Sequence, residues 1–153
     1  MKLKTTWLLA TMLFTGLMAL AQWKKVEGNG NIVKQSRSVS GFKTISLAGG
    51  MKVLIKPAST VAVTVEADDN IQSYIITEVN GNTLKIKMKD GYSIKSKSIV
   101  VHVSMPSIEE AAISGSGTII SESEMQGGDK FNAVIIGSGS IDMKVKSSSI
   151  KAR

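Results

Sequence analysis

The chain has 153 residues, 42% of them hydrophobic and only 5% aromatic, with no cysteine, one histidine and a formal net charge of +7. Lack of cysteine excludes disulfides, thiolate metal sites and a lipid carried on an N-terminal cysteine, and a single histidine excludes multi-histidine metal centres. The basic balance suits an acidic partner, but with so few aromatics a base-stacking nucleic-acid surface is not expected.

Residues 1–21 have the three parts of a secretory signal: Lys2 and Lys4, an apolar stretch from Trp7 to Leu20, and Ala19-Leu20-Ala21 before Gln22. Cleavage after Ala21 is expected, with export to the periplasm, the outer surface or the medium. The stretch is interrupted by Thr11, Thr15 and Gly16 and is shorter than the roughly 20 residues that span a bilayer. No transmembrane segment is therefore expected after cleavage. Residues 22–153 are expected to form one domain, long enough to bury a core without disulfide or metal support.

Through that region apolar and polar residues alternate with period two, the pattern of half-buried strands. Met51, Val53 and Ile55 alternate with Lys52 and Lys56; Val61, Val63 and Val65 with Thr64 and Glu66; Leu84, Ile86 and Met88 with Lys85, Lys87 and Lys89. The lysines read as a solvated strand face that discourages edge-to-edge aggregation. Ile99, Val101, Val103 and Met105 form another such run, closed by Pro106. Asn80-Gly81 and Asp90-Gly91 are the dipeptides that type I′ hairpin turns prefer, which predicts two hairpins. Between strands, Asp68-Asp69-Asn70-Ile71-Gln72 resembles a loose capping box and predicts a single helical turn capped by the acid.

A repeat marks the second half. Ile113-Ser114-Gly115-Ser116-Gly117-Thr118-Ile119 recurs as Ile135-Ile136-Gly137-Ser138-Gly139-Ser140-Ile141, displaced by 22 residues, and Leu47-Ala48-Gly49-Gly50-Met51-Lys52-Val53 is an earlier relative. A step of this length suits one coil of a β-solenoid, with glycine at corners that need positive φ or close backbone approach. The expected fold is all-β: a parallel β-helix-like solenoid with Gly49, Gly50, Gly115, Gly117, Gly137 and Gly139 at its corners. A meander or sandwich whose turns share Gly-Ser-Gly is the alternative.

Taken in order, Gly28-Asn29-Gly30-Asn31-Ile32, Val39-Ser40-Gly41-Phe42-Lys43-Thr44-Ile45, Gly49-Gly50-Met51-Lys52-Val53, Val65-Glu66-Ala67-Asp68-Asp69-Asn70 and the Gly-Ser-Gly repeats resemble the head GIN domain family of putative auto-transporter adhesins. The resemblance implies an exported protein of Bacteroidetes-type bacteria with a right-handed parallel β-helix-like fold. It brings no catalytic residue, cofactor or ligand. Family members usually continue through further strands after the second Gly-Ser-Gly copy, so the last coils are expected to be truncated here, leaving an edge open to a partner or to self-association.

No catalytic constellation is legible. His102 lies on the parity opposite Val101 and Val103 and is expected to point outward from a strand. The carboxylate candidates are Asp68 with Asp69, Glu109 with Glu110, and Glu122 with Glu124. Neighbours on a strand face opposite ways, so Glu109 and Glu110 are not expected to converge, whereas Glu122 and Glu124 share a parity. Ile136-Gly137-Ser138-Gly139-Ser140-Ile141-Asp142 lacks the acid spacing and nine-residue period of calcium-binding repeats. The reading is a non-enzymatic exported domain without cofactor, serving adhesion, scaffolding or binding of an envelope glycan or protein. The alternative is a carbohydrate-active, polysaccharide lyase-like enzyme using surface carboxylates.

Overall fold

The computed structural model describes residues 23–153, and the proposed signal peptide lies outside the described residues. Sixteen short strands follow one another: β1 Lys24–Glu27, β2 Ile32–Arg37, β3 Thr44–Ala48, β4 Lys52–Pro57, β5 Ala62–Asp68, β6 Ile75–Asn80, β7 Thr83–Met88 and β8 Tyr92–Lys95. Then come β9 Val100–Met105, β10 Glu110–Gly115, β11 Thr118–Ser121, β12 Met125–Gln126, β13 Phe131–Gly137, β14 Ser140–Asp142, β15 Val145–Lys146 and β16 Ile150–Ala152.

Two six-stranded sheets carry most of the chain, in the orders β16-β13-β10-β3-β7-β6 and β14-β11-β4-β9-β5-β2. The pairs β1-β8 and β12-β15 form two small parallel sheets. Period two dictates which side chains go in. Ile45, Leu47, Leu84, Ile86, Ala111 and Ile113 of the first large sheet meet Val53, Ile55, Val63, Val65, Val101 and Val103 of the second in one buried cluster. Each such aliphatic residue contributes about 1.5–3 kcal/mol of burial. The intervening Lys52, Lys56 and Lys85 stay exposed.

The all-β class expected from the alternation is what the chain adopts, but the sheets are mixed. β3, β10, β13 and β16 run parallel, as do β9, β4, β11 and β14. β2, β5 and β6 join antiparallel. Within the parallel part the repeat fixes the register: Ile113 lies opposite Ile135 and Leu47, and Ile119 opposite Ile141 and Val53. Corresponding polar residues stack too, as where Ser140 Oγ meets Thr118 Oγ1 across 22 residues.

Three local expectations need correction. At Asn80-Gly81 a hairpin does form, with Asn80 opposite Thr83. Its central residues are Gly81 and Asn82, and only Gly81 has positive φ (60°), which is the type II′ pattern rather than type I′. Asp90-Gly91 is no hairpin: β8 leaves β7 to pair in parallel with β1, because β7 already has β3 and β6 on its two edges. The helical turn exists as a 3₁₀ turn at Gln72–Tyr74, but it has no side-chain cap. Asp68 is buried at the end of β5 and spends its carboxylate elsewhere, as described below.

Candidate functional site

β2, β5, β9 and β4 lie side by side, and their outward residues build one broad face. Lys34 is opposite Glu66, Thr64 is opposite His102, and His102 is opposite Leu54. His102 points outward as its parity requires, between the buried Val101 and Val103. Its Nε2 lies 2.9 Å from Glu66 Oε2, and Lys34 Nζ lies 3.4 Å from the same oxygen. A carboxylate can only accept, so Nε2 carries the proton and donates. That hydrogen bond, with help from Lys34 and against partial desolvation, holds Glu66 below its ordinary value. Glu66 is therefore an ionised anchor that orients His102 and Lys34.

Beside this array an open groove of about 370 Å³ is lined by Lys34, Lys56, His102, Thr64, Ser104 and Glu122 over Leu54, Ala62 and Val103. Two ammonium groups, an imidazole and two hydroxyls, set against the one carboxylate of Glu122, leave a net basic lining that can hold an anionic, hydroxyl-bearing ligand. Glu124 is not part of this lining, so the shared parity of Glu122 and Glu124 does not put both in one groove. The chain bends after β11, which breaks the strand alternation on which that expectation rested.

Glu109 and Glu110 do line one groove, of about 380 Å³, together with Asp129 and Lys130. Glu109 is engaged by Lys43 Nζ at 3.1 Å and by Asn82 Nδ2 at 3.2 Å. It precedes β10, where strict alternation does not apply. Among the described residues no group of three or more histidine and acidic side chains could hold a metal ion.

Asp68 and Asp69 serve as a latch. Asp68 Oδ1 accepts from Gly30 N at 2.6 Å, and its Oδ2 accepts from Ser96 Oγ. Asp69 accepts from the side-chain amides of Asn29 and Asn31, while Asn70 Oδ1 takes the Asn29 N–H. Two motifs some forty residues apart in sequence are thus one structural unit, for which spacing alone carries no signal. Donated hydrogen bonds, foremost from Ser96 to Asp68 and from Asn31 to Asp69, lower both acids below their ordinary values. Their stabilisation is complete above the ordinary aspartate value, about 3.9, and is lost as pH falls through the lower folded values. The urea midpoint of the native chain should drop steeply below about pH 4, and that of Asp68→Asn/Asp69→Asn should be lower at neutral pH and flatter in acid. Parallel pH profiles for the two proteins would refute the latch.

The six glycines expected at corners sit at strand junctions. Gly49, Gly115 and Gly137 end or follow β3, β10 and β13 with φ of 104°, 120° and 120°. Gly49 N donates to Ser114 O at 2.9 Å, and Ser138 N to Gly115 O at 3.0 Å. Gly50 lies near Ser116, and Gly117 and Gly139 have no space for a side chain.

Three comparisons bear on this architecture. No curated protein matches the chain significantly. Among solved structures, one described as a putative adhesin from Bacteroides fragilis NCTC 9343 superposes with a TM-score of 0.74 at 14% identity, covering 83% of this chain and 60% of that one. A putative lipid binding protein from Parabacteroides distasonis ATCC 8503 gives 0.65 at 21% identity, with 84% and 65% covered. A putative adhesin from Parabacteroides merdae ATCC 43184 gives 0.64 at 20% identity, with 84% and 61% covered. At these identities the likeness concerns the fold, and the chain spans less than two thirds of the length of each. The family model for the putative auto-transporter adhesin, head GIN domain, matches residues 41–153, and the chain belongs to that family.

Proposed function

We propose that residues 22–153 form one exported, non-enzymatic binding domain that attaches to an acidic envelope glycan through the outward face of β2, β5, β9 and β4. The basic groove beside the Glu66–His102 pair carries this reading. Lys56 makes no ion pair among the described residues, Lys34 keeps most of its side chain in solvent beside Glu66, the hydroxyls suit sugar hydroxyls, and no aromatic platform lines the groove for a neutral sugar. Membership of an adhesin family and the signal-like residues 1–21 support an exported role at the cell envelope. The parallel ladders of β3, β10, β13 and β4, β11, β14 support reading the repeat as stacked coils whose corners are Gly49, Gly50, Gly115, Gly117, Gly137 and Gly139.

Binding to a polyuronate, measured by calorimetry, should weaken as salt rises. Lys34→Gln/Lys56→Gln should weaken it at least roughly tenfold while changing stability by less than about 1 kcal/mol, since both side chains reach into solvent. Equal affinity of the double variant, or preference for neutral glycans across an array, would overturn the proposal. Release of unsaturated products from the polymer would favour the lyase-like alternative instead.

A further inference from the structure

β2 and β6 are the edge strands of the two large sheets on the same side of the core, and the 3₁₀ turn Gln72–Tyr74 leads into β6 between them. Where the layers part there is an open cleft of about 410 Å³, lined by Arg37, Ser38, Ser73, Thr77, Glu78 and Ile75 among others. Arg37 reaches it because Arg37 pairs with Val63, and so shares the inward parity of β2 at the point where that strand outruns the core. The guanidinium is fixed: its Nη2 donates to Gln72 O at 2.8 Å and to Gln72 Oε1 at 3.0 Å. Gln72 is itself buried and donates to Val33 O and Val65 O, both at 3.0 Å, so the clamp cannot swing.

Two features of Arg37 are unusual. Among the described residues no carboxylate lies within 4.0 Å of it. Its Nε is shut off from solvent, whereas Nη1 is not sealed and makes no hydrogen bond among the described residues. A charged donor without an acceptor gains from a suitable oxygen placed on it. Burial also lowers Arg37 from its ordinary value, as expected for a cation short of a counter-charge.

We infer that the cleft between β2 and β6 is a second binding site, separate from the groove on the outer face, which takes the carboxylate of a uronic acid on Arg37. The carboxylate meets the guanidinium at Nη1 and supplies the counter-charge. Ser38, Ser73 and Thr77 offer hydroxyls to the sugar ring, and the volume lies within the range of small-ligand pockets. Glu78 in the same lining opposes a second negative charge, which favours a monoanionic carboxylate over phosphate.

The chain contains only two arginines, Arg37 and Arg153, so arginine Nε–H resonances report the site directly. In the ¹⁵N-labelled full chain, titration with glucuronate should shift the Arg37 signal saturably and leave Arg153 in place. Glucose at equal concentration should do nothing. Arg37→Lys should abolish that signal and weaken glucuronate binding roughly tenfold. Thr77→Val, which keeps shape and the Arg37 clamp, should retain the signal and weaken binding a few-fold. The inference fails if Arg37 does not respond, if Arg153 moves equally, or if phosphate shifts Arg37 more strongly than glucuronate. An N-acetyl-aspartate amide as effective as glucuronate would overturn the sugar assignment. Lys34→Gln/Lys56→Gln should leave the Arg37 titration intact, which separates failure here from failure of the outer-face groove.

Discussion

Gly117→Ala should lower the stability of the chain by about 3 kcal/mol, near the upper end of what overpacking costs. A Cβ at this position would stand 2.6 Å from Leu47 Cδ2, 2.8 Å from Met51 O and 2.9 Å from Gly49 O. Two of the three obstacles are backbone, and Met51 O already accepts Thr118 N at 3.0 Å. Relief therefore requires β11 to move off β4, or Leu47 to leave a position that is completely buried. Gly81→Ala supplies the comparison: φ is 60° there, yet nothing lies within 4 Å of the new carbon. It should cost only about 1 kcal/mol, the penalty of a left-handed backbone. Urea unfolding of both variants checks the difference. If Gly117→Ala proves no worse than Gly81→Ala, close stacking at the corners is not what makes glycine necessary.

Gln72→Leu should be nearly as damaging, about 3 kcal/mol, although it puts an apolar side chain into a buried position. Gln72 is 5% exposed and ties three partners together: the carbonyls of Val33 in β2 and Val65 in β5, and the Arg37 guanidinium. Leucine removes the side-chain donor from two carbonyls and one acceptor from a cation that has no carboxylate within 4.0 Å among the described residues. Removing Lys87 from its exposed ion pair with Asp90 should, by contrast, change stability by less than about 1 kcal/mol. Hydrogen exchange should show the loss concentrated in β2, whose amides should exchange faster than those of β10. Uniformly faster exchange would mean that Gln72 supports the whole core rather than this edge.

Strand positions were legible because burial on one face imposes period two, and residues such as Val53, Ile55, Val101 and Val103 obey it. Strand partners were legible only where the repeat aligns them, as for β3, β10 and β13. Nothing local to Thr44–Ala48 indicates that its other edge takes β7, since the hydrogen bonds joining them cross a long stretch of chain. The misread Asp90-Gly91 turn has the same origin: turn chemistry was right, as φ of 82° at Gly91 attests, but the edge beside β7 was taken. Asp68 illustrates competition between local and distant partners. Its spacing to Gln72 suits a cap, yet Gly30 N and Ser96 Oγ outbid the helical turn for its carboxylate. The Glu66–His102 pair and the Arg37–Gln72 clamp join residues 36 and 35 positions apart, and a single sequence holds no sign of either.

The register of the parallel ladders also constrains how this chain can change length. Ile113 faces Ile135, and Ile119 faces Ile141, at the same 22-residue offset as Ser140 and Thr118. One residue inserted into β13 would turn Phe131 or Ile135 outward and bring Asn132 or Ile136 in, whereas a whole 22-residue block would return every side chain to its own side. The links between strands are less constrained, because β16 pairs with β13 at an offset of 19 and β15 with β12 at an offset of 20. Changes of length therefore belong in the links, where they leave the facing of the ladders untouched.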